Sequence, residues 1–204
     1  MRILLLALTG FGNGVLDVLL QESCEVVALL TRKEVGPYPY YPEKNIAQYA
    51  TEKGVKVYEE FNWNLVKEII RKESPELLLV ATFHKIIPNE ILSMVSLGIN
   101  FHPSLLPKYR GPAPISWVLF NKEKKTGITA HLLSEKVDAG DILMQKEILI
   151  EETDTEETLR KKLAILTAEL TQELVSKLKN NSSLKPFPQN EKEATYFPKF
   201  KKIE

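Results

Sequence analysis

Between Ile3 and His102, short unbroken apolar runs alternate with stretches of helical periodicity, and this alternation limits the fold more than any other feature. Residues 3–8, 26–30, 77–81 and 99–102 read as strands, with a shorter one at 55–58. Between them Val15, Leu16, Leu19 and Leu20 repeat at helix spacing, as do Leu65, Val66, Ile69 and Ile70. Residues 45–53 and 89–95 read as helices, the first closed by Gly54, whose missing Cβ suits a left-handed cap. Strands that are apolar on both faces need cover on both, so strand and helix in turn imply a mostly parallel α/β sheet with helices on both faces.

The pattern changes beyond residue 112. Residues 113–120 look helical, and 126–133 and 142–150 read as strands separated by a mostly polar loop at 134–141. These two strands are expected to extend the sheet, partly antiparallel. A long amphipathic helix over 155–179 carries Leu159, Leu163, Leu166, Leu170, Leu174 and Leu178 on one stripe, with Thr153 three residues before Glu156 as the expected capping box. The polar, proline-bearing remainder has Tyr196, Phe197 and Phe200 as its expected anchors.

Composition narrows the class. The chain has 204 residues, 44% hydrophobic and 26% charged, which excludes a disordered or fibrous protein. Lys and Arg number 27 against 27 Asp and Glu, so bulk charge does not mark a nucleic-acid binder, although a local patch stays open. Cys24 stands alone, which leaves no internal disulfide or cysteine zinc site and fits a cytoplasmic protein. The apolar run at 3–8 is far shorter than the ~20 residues of a membrane span, and a buried first strand is the expectation.

Two regions carry candidate chemistry. Gly10-Phe11-Gly12-Asn13-Gly14 follows a strand and opens a helix, where free amides favour anions. Its glycine spacing misses the dinucleotide fingerprint, and the next strand ends in Thr31-Arg32 with no acidic residue, so a tight strand-to-helix turn competes with anion binding. The second region runs from 100 to 141. Asn100 and His102, two apart on a strand, present their side chains to one face at the strand's C-terminal end, the edge where open α/β sheets bind ligands. Pro103 and Pro107 stiffen the loop that follows, and Leu105-Leu106 between them is either a core plug or an apolar ligand wall. Asp138 and Asp141 sit near Gly140 between two strands, where an ordinary turn is the bland alternative.

Asn100-x-His102, followed by Pro103-Ser104-Leu105-Leu106-Pro107 and later by Val137-Asp138-Ala139-Gly140, resembles the folate-dependent formyltransferase family over almost the whole chain. That resemblance implies a Rossmann-like fold, 10-formyltetrahydrofolate as formyl donor, and Asn100, His102 and Asp138 as catalytic residues. It implies a pterin-holding loop at Phe83, His84, Lys85, Ile86 and Ile87, with a second wall from Leu105, Leu106, Pro107 and Val137. His84 and Lys85 depart from the residues commonest there, which leaves backbone contacts as their expected contribution. No metal is required. The chemistry asks for these residue types on its own terms: preorganised donors at the developing formyl oxygen are worth about 3–4 kcal/mol each, the Asn100 amide and a His102 N–H can supply two, and Asp138 can orient His102 and relay the amine's proton.

The resemblance also implies a primary amine as acceptor. Family branches act on glycinamide ribonucleotide, nucleotide-linked amino sugars or methionyl-tRNA. His131 and Val137-Asp138-Ala139-Gly140 resemble the purine and sugar branches, whereas Lys108-Tyr109-Arg110-Gly111-Pro112 resembles the tRNA and sugar ones. With zero net charge, the favoured acceptor is a small nucleotide-linked amino sugar, held by Gly10, Phe11, Gly12, Asn13, Tyr109 and Arg110. Methionyl-tRNA is the alternative, and a formyltetrahydrofolate hydrolase or a non-catalytic folate binder stay open. The expected organisation is a catalytic domain over 1–180 and an extension over 181–204, with no separate C-terminal barrel.

Overall fold

The computed structural model describes residues 1–34, 44–180 and 184–200. In chain order its elements are β1 (Arg2–Ala7), α1 (Phe11–Gln21), β2 (Glu25–Leu30), α2 (Ile46–Glu52), β3 (Val57–Tyr58), α3 (Trp63–Glu73), β4 (Leu77–Ala81), α4 (Asn89–Leu92), β5 (Leu97–His102), α5 (Pro114–Phe120), β6 (Lys125–Leu132), β7 (Ile142–Leu149) and α6 (Glu156–Lys179). They build one seven-stranded sheet in the order β3-β2-β1-β4-β5-β6-β7. The first five strands are parallel, and β6 and β7 join antiparallel, as the sequence pattern implies.

The central strands split their side chains between two cores because successive residues point to opposite faces. Ile3, Leu5, Leu77 and Leu79 enter one core with Leu16 of α1 and the Leu159–Leu163–Leu170–Leu174 stripe of α6. Leu4, Leu6, Leu78 and Val80 enter the other with Val66, Ile69 and Ile70 of α3 and Ile91 of α4. Tight approach sets the first turn: a Cβ on Gly12 would meet the Ala7 Cβ at 2.7 Å and overlap the Ile46 side chain. The cap of α6 differs from the sequence expectation. Thr155, two residues beyond Thr153, accepts from the Thr158 amide while the Thr158 hydroxyl accepts from the Thr155 amide. A Thr at the third helical position closes the box where a Glu was anticipated.

The chain reverses strand order beside β1, so the loops after β1, β4 and β5 converge at the sheet's C-terminal edge. The described tail, 184–200, returns to this same half of the molecule. Phe187 exchanges two backbone hydrogen bonds with Ile142, and Phe197 stacks on Tyr109 with ring centroids 5.0 Å apart. Phe200 packs on Trp117 and Phe120, whereas Tyr196 is 62% exposed and anchors only through its backbone bridge to Arg110. Among the described residues no helix is long and apolar enough to cross a membrane.

Candidate active site

Asn100 and His102 close β5, and antiparallel pairing sets Asn100 directly opposite His131 of β6. Asp138 comes from the loop between β6 and β7 with φ of 53°, a left-handed conformation that a non-glycine residue holds only under constraint. Its Oδ2 accepts from the Gly111 amide at 2.9 Å, and its Oδ1 lies 3.5 Å from His102 Nδ1 and 3.7 Å from His131 Nε2. The four side chains thus form one cluster, with His102 and His131 buried to 5% and 1% exposure.

Hydrogen-bond partners assign the protons. His102 Nε2 lies 2.7 Å from the Tyr109 carbonyl, which only accepts, so Nε2 carries a hydrogen. In neutral His102, Nδ1 is therefore the bare nitrogen, and it faces Asp138. His131 Nδ1 lies 2.8 Å from the Leu132 carbonyl and donates to it by the same rule. Its Nε2 then accepts from Asn100 Nδ2 at 3.0 Å, which points the Asn100 amide one way and leaves its second N–H without a partner among the described residues.

Charge follows burial and neighbours. Burial pushes His102 below the ordinary 6.5, against the opposing pull of Asp138 and the Tyr109 carbonyl, with His131 lowering it further. Burial pushes Asp138 upward, but the His102 ring, the His131 ring and the Gly111 amide outweigh it and bring the carboxyl down to about 2. Asp138 is ionised beside a His102 that is neutral at pH 7, because the deeply buried imidazole has only one carboxylate to offset its desolvation. This pair is arranged to take up one proton at Nδ1 and to stabilise the resulting charge.

The apolar walls occupy the same sheet edge. Phe83 stacks on Phe61 at 6.0 Å, Lys85 lies over the Phe61 ring at 4.2 Å, and Ile87 packs into the core. Leu106 is a core plug at 3% exposure, its amide donating to Thr129 Oγ1, while Leu105 and Pro107 are half-buried. Ile86 and Val137 are left 76% and 42% exposed. His84 is exposed, and partial burial with Arg32 and Lys85 nearby lowers its basicity.

Several residues expected to face the acceptor are engaged within the chain. The amides of Gly10, Gly12 and Asn13 have internal partners at Asn13 Oδ1, Leu8 O and Gly10 O, and Asn13 Nδ2 donates to the Lys44 carbonyl. Phe11 is buried in the core. These three amides serve the strand-to-helix turn itself. The Tyr109 ring is buried, with its hydroxyl on Glu123, and the Arg110 guanidinium is taken up by Gln189 and Glu191. Among the described residues no group of three or more His, Cys, Asp or Glu side chains is placed to hold a metal. Sequence reasoning missed Gln189 altogether, and it noted His131 without its pairing to Asn100.

A Rossmann-like sheet gathers an Asn, two His and an Asp at its C-terminal edge, where α/β enzymes bind ligands, in an arrangement suited to acid–base chemistry. The chain belongs to the formyl transferase family, whose model matches residues 1–175. It is 40% identical to the methionyl-tRNA formyltransferase of Caldanaerobacter subterraneus subsp. tengcongensis over 97% of this chain and 66% of that protein. It is 35% identical to the Bacillus subtilis methionyl-tRNA formyltransferase over 98% of this chain and 65% of that protein, so the chain spans about two thirds of these relatives. Its fold is similar to that of a Helicobacter canadensis N-formyltransferase solved with folinic acid and dTDP-3-aminofucose, at a TM-score of 0.78 and 20% identity over 97% of this chain and 71% of that one.

Proposed function

We infer that the chain transfers the formyl group of 10-formyltetrahydrofolate to the amine of methionyl-tRNA. The observation that carries the acceptor is 40% and 35% identity over nearly the whole chain to methionyl-tRNA formyltransferases, against 20% to the sugar enzyme. The amino-sugar preference drawn from the sequence counted Arg110 among the residues that hold the acceptor. With that guanidinium committed to Gln189 and Glu191, this support is withdrawn. A small nucleotide-linked amine is the second reading, favoured by the buried His131 beside Asp138.

The donor fits the apolar loops: Ile86 and Val137 are large side chains left uncovered that a flat pterin ring would cover, between the Phe83–Ile87 and Leu105–Pro107 segments. It supplies an activated formyl carbon on a leaving nitrogen. As the amine attacks, a C–N bond forms, the bond from formyl carbon to folate nitrogen breaks, and charge gathers on the formyl oxygen. Asn100 donates its free N–H to that oxygen. Neutral His102 cannot do the same, because its one N–H is spent on Tyr109. Its bare Nδ1 instead takes the amine's proton, directly or through water, with Asp138 stabilising the imidazolium, and can return it to the departing nitrogen. An acceptor screen tests the reading: charged initiator tRNA, an amino-sugar nucleotide and glycinamide ribonucleotide are each offered with formyl donor. Formylation of the tRNA is expected. Turnover of a small amine alone would replace the acceptor, and formate release without any amine would replace transfer by hydrolysis.

A further inference from the structure

Gln189 lies outside residues 1–175, in the polar tail, yet it is buried to 8% exposure and its amide is fully used. Oε1 accepts from Arg110 Nε at 3.1 Å and Nη2 at 2.8 Å, while Nε2 donates to the Asp138 carbonyl at 2.8 Å and the Gly140 carbonyl at 2.7 Å. Guanidinium only donates and carbonyl only accepts, so these partners fix the amide's orientation. The two peptide segments it joins carry the cluster's fixed backbone partners. Arg110 stands between Tyr109, whose carbonyl accepts the hydrogen bond of His102 Nε2, and Gly111, whose amide donates to the Asp138 carboxylate. On the other side is Asp138 itself, held at φ of 53°.

We propose that Gln189 is a positioning residue that ties the Arg110 turn to the Asp138 loop and thereby sets the distance between the Asp138 carboxylate and the His102 ring. The inference rests on the formyl-transfer reading for its kinetic consequence only. Glutamine is the side chain that suits the place. Glutamate would keep the Arg110 contacts but turn a carboxylate toward two carbonyls, and methionine would keep the volume without any of the four bonds. A shift of about 1 Å at a reacting pair can cost roughly a hundred-fold in rate, so the effect should appear in kcat.

The test compares Gln189→Ala and Gln189→Glu with Glu191→Gln, which weakens only the outer ion pair of Arg110, and with Thr155→Ala, which weakens the remote cap of α6. All are assayed as the 204-residue chain, well below their melting temperatures. Both Gln189 variants should lose about ten- to a hundred-fold in kcat with donor KM within two-fold, whereas Glu191→Gln and Thr155→Ala stay within two-fold in both. Hydrogen exchange at the Gly111 amide supplies a readout that needs no turnover: it should quicken at least ten-fold in both Gln189 variants and stay unchanged in Glu191→Gln and Thr155→Ala. Unchanged kcat with unchanged Gly111 exchange in folded Gln189→Ala would overturn the proposal, as would equal losses in Thr155→Ala. A wild-type chain without formyl transfer would sink the functional reading and leave the exchange result to decide the role of Gln189.

Discussion

Asn100 and His131 illustrate how two residues that look bland in sequence become one device. The His131 ring, pinned by the Leu132 carbonyl, accepts one amide proton of Asn100 and so aims the other. Removing that acceptor lets the amide rotate, whereas a side chain with a carbonyl in the same place restores it. We therefore expect His131→Leu to lower kcat about ten-fold with donor affinity unchanged, and His131→Gln to recover most of it. Asn100→Ala should cost about 10²–10³ in kcat, the usual loss of an oxyanion donor. Equal effects of Leu and Gln at 131 would remove the aiming role.

Asp138 adds a pH dependence at the same scale. Its folded value of about 2 lies below the ordinary 3.8, so the unfolded chain binds its proton first as pH falls. The share of its stabilisation owed to the His102 ring is present only while His102 is protonated, the share owed to the Gly111 amide persists at neutral pH, and both are lost as pH falls toward 2. The melting temperature of Asp138→Asn should lie below that of the wild type at pH 7, with the difference narrowing below pH 4. In catalysis the sign concerns His102. The carboxylate raises the His102 proton affinity against burial, so Asp138→Asn should move the acid limb of the rate profile to lower pH as well as lowering the rate. A limb that stays in place would separate Asp138 from His102.

Elements were legible where periodicity is local. The unbroken apolar runs of β1, β2, β4 and β5 announce burial on both faces, and the leucine stripe of α6 announces its core side. Helix ends are set by smaller energies. The pattern Thr-x-x-Glu marks Thr153, but the cap falls on Thr155 through its exchange with Thr158. Thr155→Ala should therefore destabilise by about 1 kcal/mol in denaturant unfolding, while Thr153→Ala stays within about 0.5 kcal/mol. Gly12→Val should cost more, on the order of 1–3 kcal/mol, since the added carbons must displace Ala7 of β1 or Ile46 of α2. Of the site, the Asn100–His102 spacing is visible within one strand. The Asn100–His131 pair depends on strand register across 31 residues, and Gln189 reaches Asp138 across 51. A lone glutamine in a polar tail has no period and no motif to give it away. Only the closed backbone supplies its four partners.

At the scale of the whole molecule, the proposed tRNA acceptor has to be squared with a chain of zero formal net charge. Distribution decides this more than the sum. Phe200 packs on Trp117 and Phe120, which brings the tail bearing Lys199 to the end of α5, the element whose following turn carries Lys122 and Lys124. These three lysines have no ion pair among the described residues, whereas Lys125 is paired with Glu147 at 2.7 Å; Lys201 and Lys202 lie outside the described residues. If tRNA phosphates contact this corner, each contact releases about one counterion and the affinity falls with salt. Two or three contacts predict a loss of roughly ten- to forty-fold between 50 and 200 mM salt, well short of the thousand-fold or more expected of six to ten. We expect KM for charged initiator tRNA to rise over that range by this amount, and Lys122→Glu with Lys124→Glu to raise KM at low salt while flattening its salt dependence. Donor KM and the rate on any small amine should not move. A tRNA KM indifferent to both salt and the lysine reversals would place the acceptor elsewhere on the molecule, and mild salt dependence with turnover of an amino-sugar nucleotide would return the small-amine acceptor to first place.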